Sequence, residues 1–434
     1  MNRTCQTCQR CNHYTAQHSR HTPHSTFQVT VTMKFSNIFC KKYEVNRLLV
    51  YSKRYNIEFL KSLDPIIFLF YLTGLEIVLP SSDLRRKNRL YIQLRRCVRC
   101  VCFGILVFPF FFQFFWFLAL PEKKVEGALL FAFALQSTAW FSIRKHRRKL
   151  VRVLKQIGQI SQMLQYNADF KRKKWMISLY CIFSYSLIIG YLSAYFYSVN
   201  RILDFEYLKQ SILVTEFKIS STYMPMFRDI AICCYTLGNS IPVISITALY
   251  IYLAAHVKSL FDRITKRLRH LKDDSNFHQV LQAYRGLVNA LNCMDDIFSY
   301  SVFILVLNSM VGLFRSTYSL VFLTKTCFKR NFYYCFSVLY YFIILTSVIV
   351  YASETIQAGR RCREQVISLP GMFPHRYLEL KILIRKNFKR GIVLTLWKTY
   401  VIDRSLLFSA FGTLVTYGIL IATLGNIQNQ ELFQ

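Results

Sequence analysis

Acidic residues are scarce in this chain: 22 Asp and Glu stand against 56 Lys and Arg, and residues of either charge make up only 18% of the 434 positions. Beside 53% hydrophobic and 16% aromatic content, so low a charged fraction excludes an ordinary soluble domain. Signatures of catalysis are also missing. There is no G-x-S-x-G, no H-E-x-x-H and no P-loop. The adjacent pairs Asp273-Asp274 and Asp295-Asp296 read as a solvated loop and a solvated span boundary, not as acid–base pairs, so no catalytic residue and no enzyme is expected. No internal repeat divides the apolar segments into two halves, which argues against a transporter. The outer loops assigned below contain only Cys327, so no disulfide is implied there, and the one N-x-S/T sequon, Asn2-Arg3-Thr4, falls in a segment assigned to the cytosol.

Long apolar runs are what the chain has instead. A helix crossing a bilayer needs about 20 mostly apolar residues. Seven stretches qualify: Val98–Leu120, Val125–Ile143, Trp175–Tyr197, Ile230–His256, Ile297–Leu323, Asn331–Tyr351 and Ser405–Asn426. An eighth, Ile57–Pro80, carries Lys61, Asp64 and Glu76, and reads as an interfacial or partly buried helix before the first span.

The basic residues are sorted between the spans. Seventeen Lys and Arg lie in the chain through Arg99, eleven in Arg144–Lys174, seven in Val257–Asp296 and eleven in Ala352–Arg404. The other connections hold nine together, and Arg315 stands alone in the interior of a span. Net charge is then about +31 on one side and about +2 on the other. Lys and Arg are retained in the cytoplasm, so the N-terminus is expected inside and the C-terminus outside. A nucleic-acid binder has no reason to sort charge by alternate loops, and no nucleic-acid partner is expected.

The expected organisation follows: a cytoplasmic region 1–56, an interfacial helix 57–80, a six-helix bundle with cytoplasmic extensions over 98–351, a cytoplasmic anchor region 352–404, the last helix 405–426 and an outer tail 427–434. Residues 1–32 are polar and aperiodic, expected to be disordered, and show no secretory signal pattern. Met33 is a candidate alternative start. The run from Cys5 through Cys8 and Cys11, with His13, His18, His21 and His24, has zinc-ligand residue types. No second C-x₂-C pair follows and no apolar residues wrap it, so neither a metal site nor a cofactor is expected.

Helix direction sorts the remaining features. Tyr191, Tyr195, Tyr235, Phe314, Tyr318 and the run Phe332-Tyr333-Tyr334 fall in outer halves, where aromatic belts are common. Together they also suit an amphipathic pocket for a small organic ligand. Arg315 reads either as snorkelling outward, as a contact in that pocket, or as a partner of Asp229. Gln113, Gln136, Asn239 and Asn308 are the other polar residues within spans. On the basic side Phe261–Leu271, His278–Leu291 and Tyr377–Thr399 read as amphipathic helices that pack together. The last span is the least greasy. Its Gly412, Thr413, Thr416, Gly418 and Thr423 suit either close helix packing or a pore lining.

These residues resemble the insect gustatory receptor family, whose last helix carries Thr-Tyr, five hydrophobic residues and Gln-Phe. Here Thr416-Tyr417-Gly-Ile-Leu-Ile-Ala422 matches, and Thr423-Leu424 stands where Gln-Phe is expected. The approach Ile402–Ser409 and the early Leu72-Thr-Gly-Leu75 with Pro80 are similar as well. The resemblance implies a ligand-gated, non-selective cation channel, related to odorant receptors, in the plasma membrane of sensory neurons. It implies a homo- or heterotetramer with related receptors, whose last helices form the pore and whose partners are the bilayer and a small tastant. On that basis Thr416, Tyr417, Leu420, Thr423 and Leu424 are pore or gate candidates. Tyr195, Tyr235, Phe314, Tyr318 and Tyr334 are ligand candidates, chosen by position. A bitter tastant is the expected class, since no pattern particular to sugar or carbon dioxide receptors is recognised. The alternatives are a metabotropic seven-helix receptor, an odorant-receptor-like channel and a non-conducting, transporter-like membrane protein.

The orientation is open to a direct check. An epitope tag after Gln434 is expected to be labelled on intact cells, whereas a metabotropic receptor, with its C-terminus inside, would leave it silent.

Overall fold

The computed structural model describes residues 63–72, 123–164, 170–198, 224–270, 277–322, 328–387 and 391–431, with the isolated positions 104 and 111. The expected disordered N-terminus, its Cys/His run, most of the first apolar stretch and most of the 198–229 loop lie outside the described residues. In chain order the elements are α1 (Asp64–Leu72), α2 (Lys123–Lys145), α3 (Arg147–Met163), α4 (Phe170–Ser198), α5 (Met224–Arg269), α6 (Phe277–Phe322), α7 (Phe328–Met372), a short 3₁₀ turn, α8 (Tyr377–Asn387), β1 (Thr395–Leu396), β2 (Tyr400–Val401) and α9 (Ser405–Glu431). The chain is an all-α membrane protein, with one small hairpin among the described residues.

Helices α5 and α6 have 46 residues each and α7 has 45. At 1.5 Å per residue each is about 68 Å long, over twice the thickness of a hydrocarbon core. The length leaves room for a mostly apolar part in each. The rest alternates apolar with charged residues, as in Lys266, Arg267 and Arg269 at the end of α5. The apolar stripe at that basic end is used: Phe261, Ile264, Tyr284, Leu287 and Cys362 are all buried. Helix α7 packs against α4, α5 and α6, and α2 and α3 pack along α6. Helix α5 is the centre of the bundle. Its most apolar window is 94% buried, against 28% for that of α4, which lies at the periphery with Ile182, Phe183 and Ile189 exposed. Helix α1 buries Ile66 and Phe70 in the same core.

Two elements depart from the sequence reading. Arg144–Lys174, expected as a loop, contains the helix α3. Leu150, Val153, Leu154, Ile157 and Ile160 recur at helical spacing and are buried, while the intervening Lys and Arg face outward. Tyr377–Thr399, expected as one amphipathic helix, is helical only to Asn387. Beyond Gly391 the buried residues are Ile392, Leu394 and Leu396, a period of two, and the chain is extended. The β-branched Ile392, Val393 and Thr395 favour that state. It closes as an antiparallel hairpin with Thr395 opposite Val401.

Close helix contact on the α6–α7 seam depends on Gly312. A Cβ built there would stand 2.5 Å from the ring of Tyr341, whereas one on Gly371 meets nothing within 4 Å. Gly312→Val is expected to cost about 1–3 kcal/mol through overpacking, read as a lowered melting midpoint by heated size-exclusion chromatography. Gly371→Ala is expected to leave the midpoint unchanged.

Candidate functional site

The end of the bundle remote from the basic extensions gathers tyrosines from three helices around one cation. The hydroxyls of Tyr191 on α4 and Tyr333 on α7 are hydrogen-bonded, and their rings lie 4.2 Å apart. Tyr195 approaches Tyr333 at 5.8 Å, and Tyr334 meets Tyr333 edge-on at 5.0 Å. Arg315 of α6 lies among Tyr333, Tyr191, Tyr235 and Tyr341. Four tyrosines from three helices are thus within electrostatic reach of Arg315, a residue that is exposed at the surface of the single chain. Three of the five expected ligand residues, Tyr195, Tyr235 and Tyr334, belong to this neighbourhood. Phe314 and Tyr318 stack on one another at 6.4 Å as a separate pair. Tyr191 and Tyr333 are visible in the sequence as belt aromatics. Nothing in their spacing marked them as mutual neighbours.

A second polar group lies deeper in the same bundle. Gln136 of α2 donates to the backbone carbonyl of Asn239 on α5, and Asn308 of α6 donates to the Gln136 carbonyl oxygen at 3.3 Å. Three of the four uncharged polar residues picked out within spans are thereby joined. Pro242 sits inside α5 three residues after Asn239, and its missing amide leaves the neighbouring Gly238 carbonyl without its helical donor.

At the basic end the hairpin is tied to α6. Asp295, buried with a relative exposure of 6%, accepts from the Thr395 amide at 2.7 Å and from the Thr395 hydroxyl at 3.0 Å. Its other oxygen accepts from Lys398, whose ammonium also reaches Asp296 at 2.7 Å. The expectation of a solvated boundary is corrected for Asp295: three donors from the hairpin compensate the burial of its charge. The turn that presents Lys398 has Trp397 at φ 46° and Lys398 at φ 60°, both in the left-handed region. This is a conformation that non-glycine residues seldom adopt. It is held by the Trp397 amide donating to the Ser299 carbonyl at 3.0 Å and by the indole packing on Tyr300 and Phe303. Partial burial works against the Lys398 ammonium, and the two carboxylates outweigh it, so its pKa is raised.

The hairpin leads directly into α9. Asp403 accepts from the Ser405 hydroxyl at 2.6 Å and the Leu406 amide at 3.1 Å, capping the helix start. These bonds hold its carboxyl below the usual range, the Ser405 hydroxyl foremost. Arg404 lies 3.9 Å from Glu354 of α7, which is paired at 2.7 Å with Lys258 of α5. Helix α9 then lays one face on the bundle, with Ala410 buried, Phe411 against Phe342 at 5.7 Å and Leu407 and Leu414 on the core. Its other face is bare. Phe408, Val415, Ile419 and Leu420 are exposed, and so are Gly412, Thr416 and Thr423. The hydroxyls of Thr416 and Thr423 donate back to Gly412 and Leu420 carbonyls at 2.8 Å. Of the expected gate residues, Thr416, Leu420 and Thr423 are therefore on the uncovered side. The side chains of Tyr417 and Leu424 lie outside the described residues.

Comparison with known proteins adds the lineage. A family model described as trehalose receptor matches residues 160–432. No curated protein matches the chain. Among solved structures, the insect olfactory receptor OR5 from Machilis hrabei superposes with a TM-score of 0.60 at 14% identity, covering 84% of this chain and 98% of that one. The same receptor in complex with eugenol gives a TM-score of 0.64 at 12% identity, covering 85% of this chain and 99% of that one. At such identities the likeness concerns the fold.

The clamp at Asp295 has a measurable weight. Asp295→Ala strips three donors of their acceptor and is expected to cost about 2–3 kcal/mol. Lys398→Ala removes a half-exposed partner and is expected to cost about 1 kcal/mol or less. Thermal melts of the purified protein separate the two, and equal losses would contradict this ranking. Because the Lys398 pKa is raised, its contribution is full below the ordinary lysine range and lost only as pH climbs through the raised value, so the melting midpoint should show no clamp-dependent change across neutral pH.

Proposed function

The chain belongs to the trehalose receptor family, and we propose that it is a ligand-gated, non-selective cation channel that assembles as a tetramer around α9. Membership places it among the insect chemoreceptors, as a membrane-embedded receptor and not an enzyme. The observation that carries the channel reading is the divided surface of α9. One face is packed on its own bundle, while a stripe of Gly, Thr, Leu and Ile is left bare. Four such faces around an axis make a conduit. Its leucine and isoleucine rings gate by excluding water, and Thr416 and Thr423 offer the polar positions. Thr416, Tyr417, Leu420, Thr423 and Leu424 are the residues we assign to pore and gate.

We assign the ligand to the tyrosine-rich end around Arg315, with Tyr195, Tyr235 and Tyr334 in contact and Phe314 and Tyr318 beside them. Tyrosine combines a flat apolar face with a hydroxyl, and the guanidinium adds fixed donors. That chemistry suits a small, hydroxyl-bearing tastant. The family description points to trehalose as the first compound to try. The eugenol complex of the Machilis receptor supports a second reading, an aromatic compound such as a bitter tastant. Binding shifts a closed–open equilibrium only through a higher affinity for the open form. The basic end faces the cytoplasm in this reading, following the sorting of Lys and Arg.

Expression in oocytes, alone and with related receptors, tests the proposal. Currents evoked by trehalose or by bitter aromatics are expected to persist under G-protein block. Thr416→Leu and Thr423→Leu are expected to lower conductance severalfold, and Leu420→Ser to raise ligand-free current by wetting the constriction. No current under any combination, with the protein at the surface, would count against a channel. Unchanged permeation in all three variants would remove these residues from the pore.

A further inference from the structure

The most concentrated charge among the described residues is not at either end of α9 but at the junction of α2 and α3. Arg144, Lys145, Arg147, Arg148, Lys149, Arg152 and Lys155 fall within twelve residues, and all seven are exposed. No Asp or Glu occurs between Glu126 and Asp169. Arg144 lies over the ring of Trp140 at 5.3 Å. Among the described residues the other six take part in no ion pair. The acids of α6 nearest this level, Asp295 and Asp296, are committed to Lys398.

The helices hold this cluster at one height. Thr138 bonds to Tyr300 at 2.8 Å, Ser301 to the Ala139 carbonyl at 3.0 Å and Gln156 to the Gly286 carbonyl at 3.0 Å. Helices α2 and α3 thus descend along α6 almost as one rod. Their exposed side changes character within a turn. Phe131 and Phe141 are exposed above the junction, and from Arg144 to Gln159 every exposed side chain is basic or, at Gln159, polar. The apolar residues of α3 are buried on the opposite side, so the cations cannot turn inward. The exposed apolar face ends at Phe141 and the basic one begins at Arg144, and the cations extend about 17 Å along the axis from that change. Cations spaced three and four residues apart on one helix repel each other. Keeping the six other than Arg144 together with no ion pair among the described residues calls for anions from outside.

We propose that the α2–α3 junction is a binding site for anionic phospholipids, their phosphate-bearing headgroups seated on Arg147, Arg148 and Lys149 with Arg152 and Lys155 below. A membrane surface is the source committed to, because the cluster begins where the lipid-facing aromatics end. Basic residues at a membrane surface each strengthen anionic-lipid binding by roughly fivefold. The site does not depend on the channel reading, since it needs only residence in a membrane.

The test uses the full chain without ligand or current. Protein reconstituted in phosphatidylcholine nanodiscs doped with phosphatidylserine or phosphatidylinositol 4,5-bisphosphate is released and examined by native mass spectrometry for retained lipid. Both anionic lipids are expected to be retained in preference to phosphatidylcholine. The triple variant Arg147→Gln, Arg148→Gln, Lys149→Gln is expected to lose that preference by at least about tenfold. The charge-conserving exchange Arg147→Lys, Arg148→Lys, Lys149→Arg should keep it. The three side chains are exposed, so elution and melting should be unchanged, and if the triple variant fails to fold the single Arg148→Gln reports the same trend. Equal retention of phosphatidylcholine and anionic lipid by the unmodified protein overturns the proposal, as does undiminished retention by a folded neutralised variant. RNA copurifying through the cluster, with no lipid preference, also overturns it.

Discussion

Asp295 is the point on which the lower half of the molecule depends. It is a buried carboxylate, and its burial is tolerable only because Thr395 and Lys398 bring three donors to it. Those donors arrive from a hairpin 100 residues away in sequence. The hairpin in turn exists only because its turn residues, Trp397 and Lys398, are held in left-handed conformations by Ser299, Tyr300 and Phe303, which follow Asp295 on the same helix. The carboxylate, the strained turn and the start of α9 therefore form one cooperative unit. A second ion-pair chain, Lys258–Glu354–Arg404, ties the same helix start to α5 and α7. Whatever moves α6 at the level of Asp295 also acts on the entry to α9.

The two polar groups higher in the bundle obey the same economy. Gln136, Asn239 and Asn308 are grouped beside Pro242 of α5. Arg315 is placed within electrostatic reach of four tyrosines. In an apolar surrounding such groups find each other or are excluded, so their positions record where the helices must pack in a single register.

Much of this was legible in the chain. The apolar runs and the sorting of Lys and Arg define the membrane character, and the continuation of Phe261–Leu271 and His278–Leu291 beyond the apolar segments is present in α5 and α6. The stripe Leu150, Val153, Leu154, Ile157 and Ile160 is equally present, but it lies among the eleven Lys and Arg of Arg144–Lys174, which give the segment the composition of a loop. The hairpin was not legible for a physical reason. Ile392, Leu394 and Leu396 alternate over only five residues, too short to separate a period of two from one of 3.6 after a basic helix. Trp397 and Lys398 carry none of the Gly or Asn signal that marks a left-handed turn. Nor does anything in the sequence pair Tyr191 with Tyr333 or Asp295 with Lys398, because each contact is made by tertiary packing across more than a hundred positions.

The length of α5, α6 and α7 has a mechanical meaning. Each is a rod of about 68 Å with its aromatic end and its basic end at opposite extremes. Pivoted near its middle, a rod of that length converts a tilt of about 5° into a displacement of about 3 Å at either tip. A displacement of that size exceeds the tolerance of a hydrogen bond. A tilt that moves the tyrosine end is thus matched by an equal and opposite movement at the far tip, and this rigid transmission, more than any chain of contacts, is what such long helices supply.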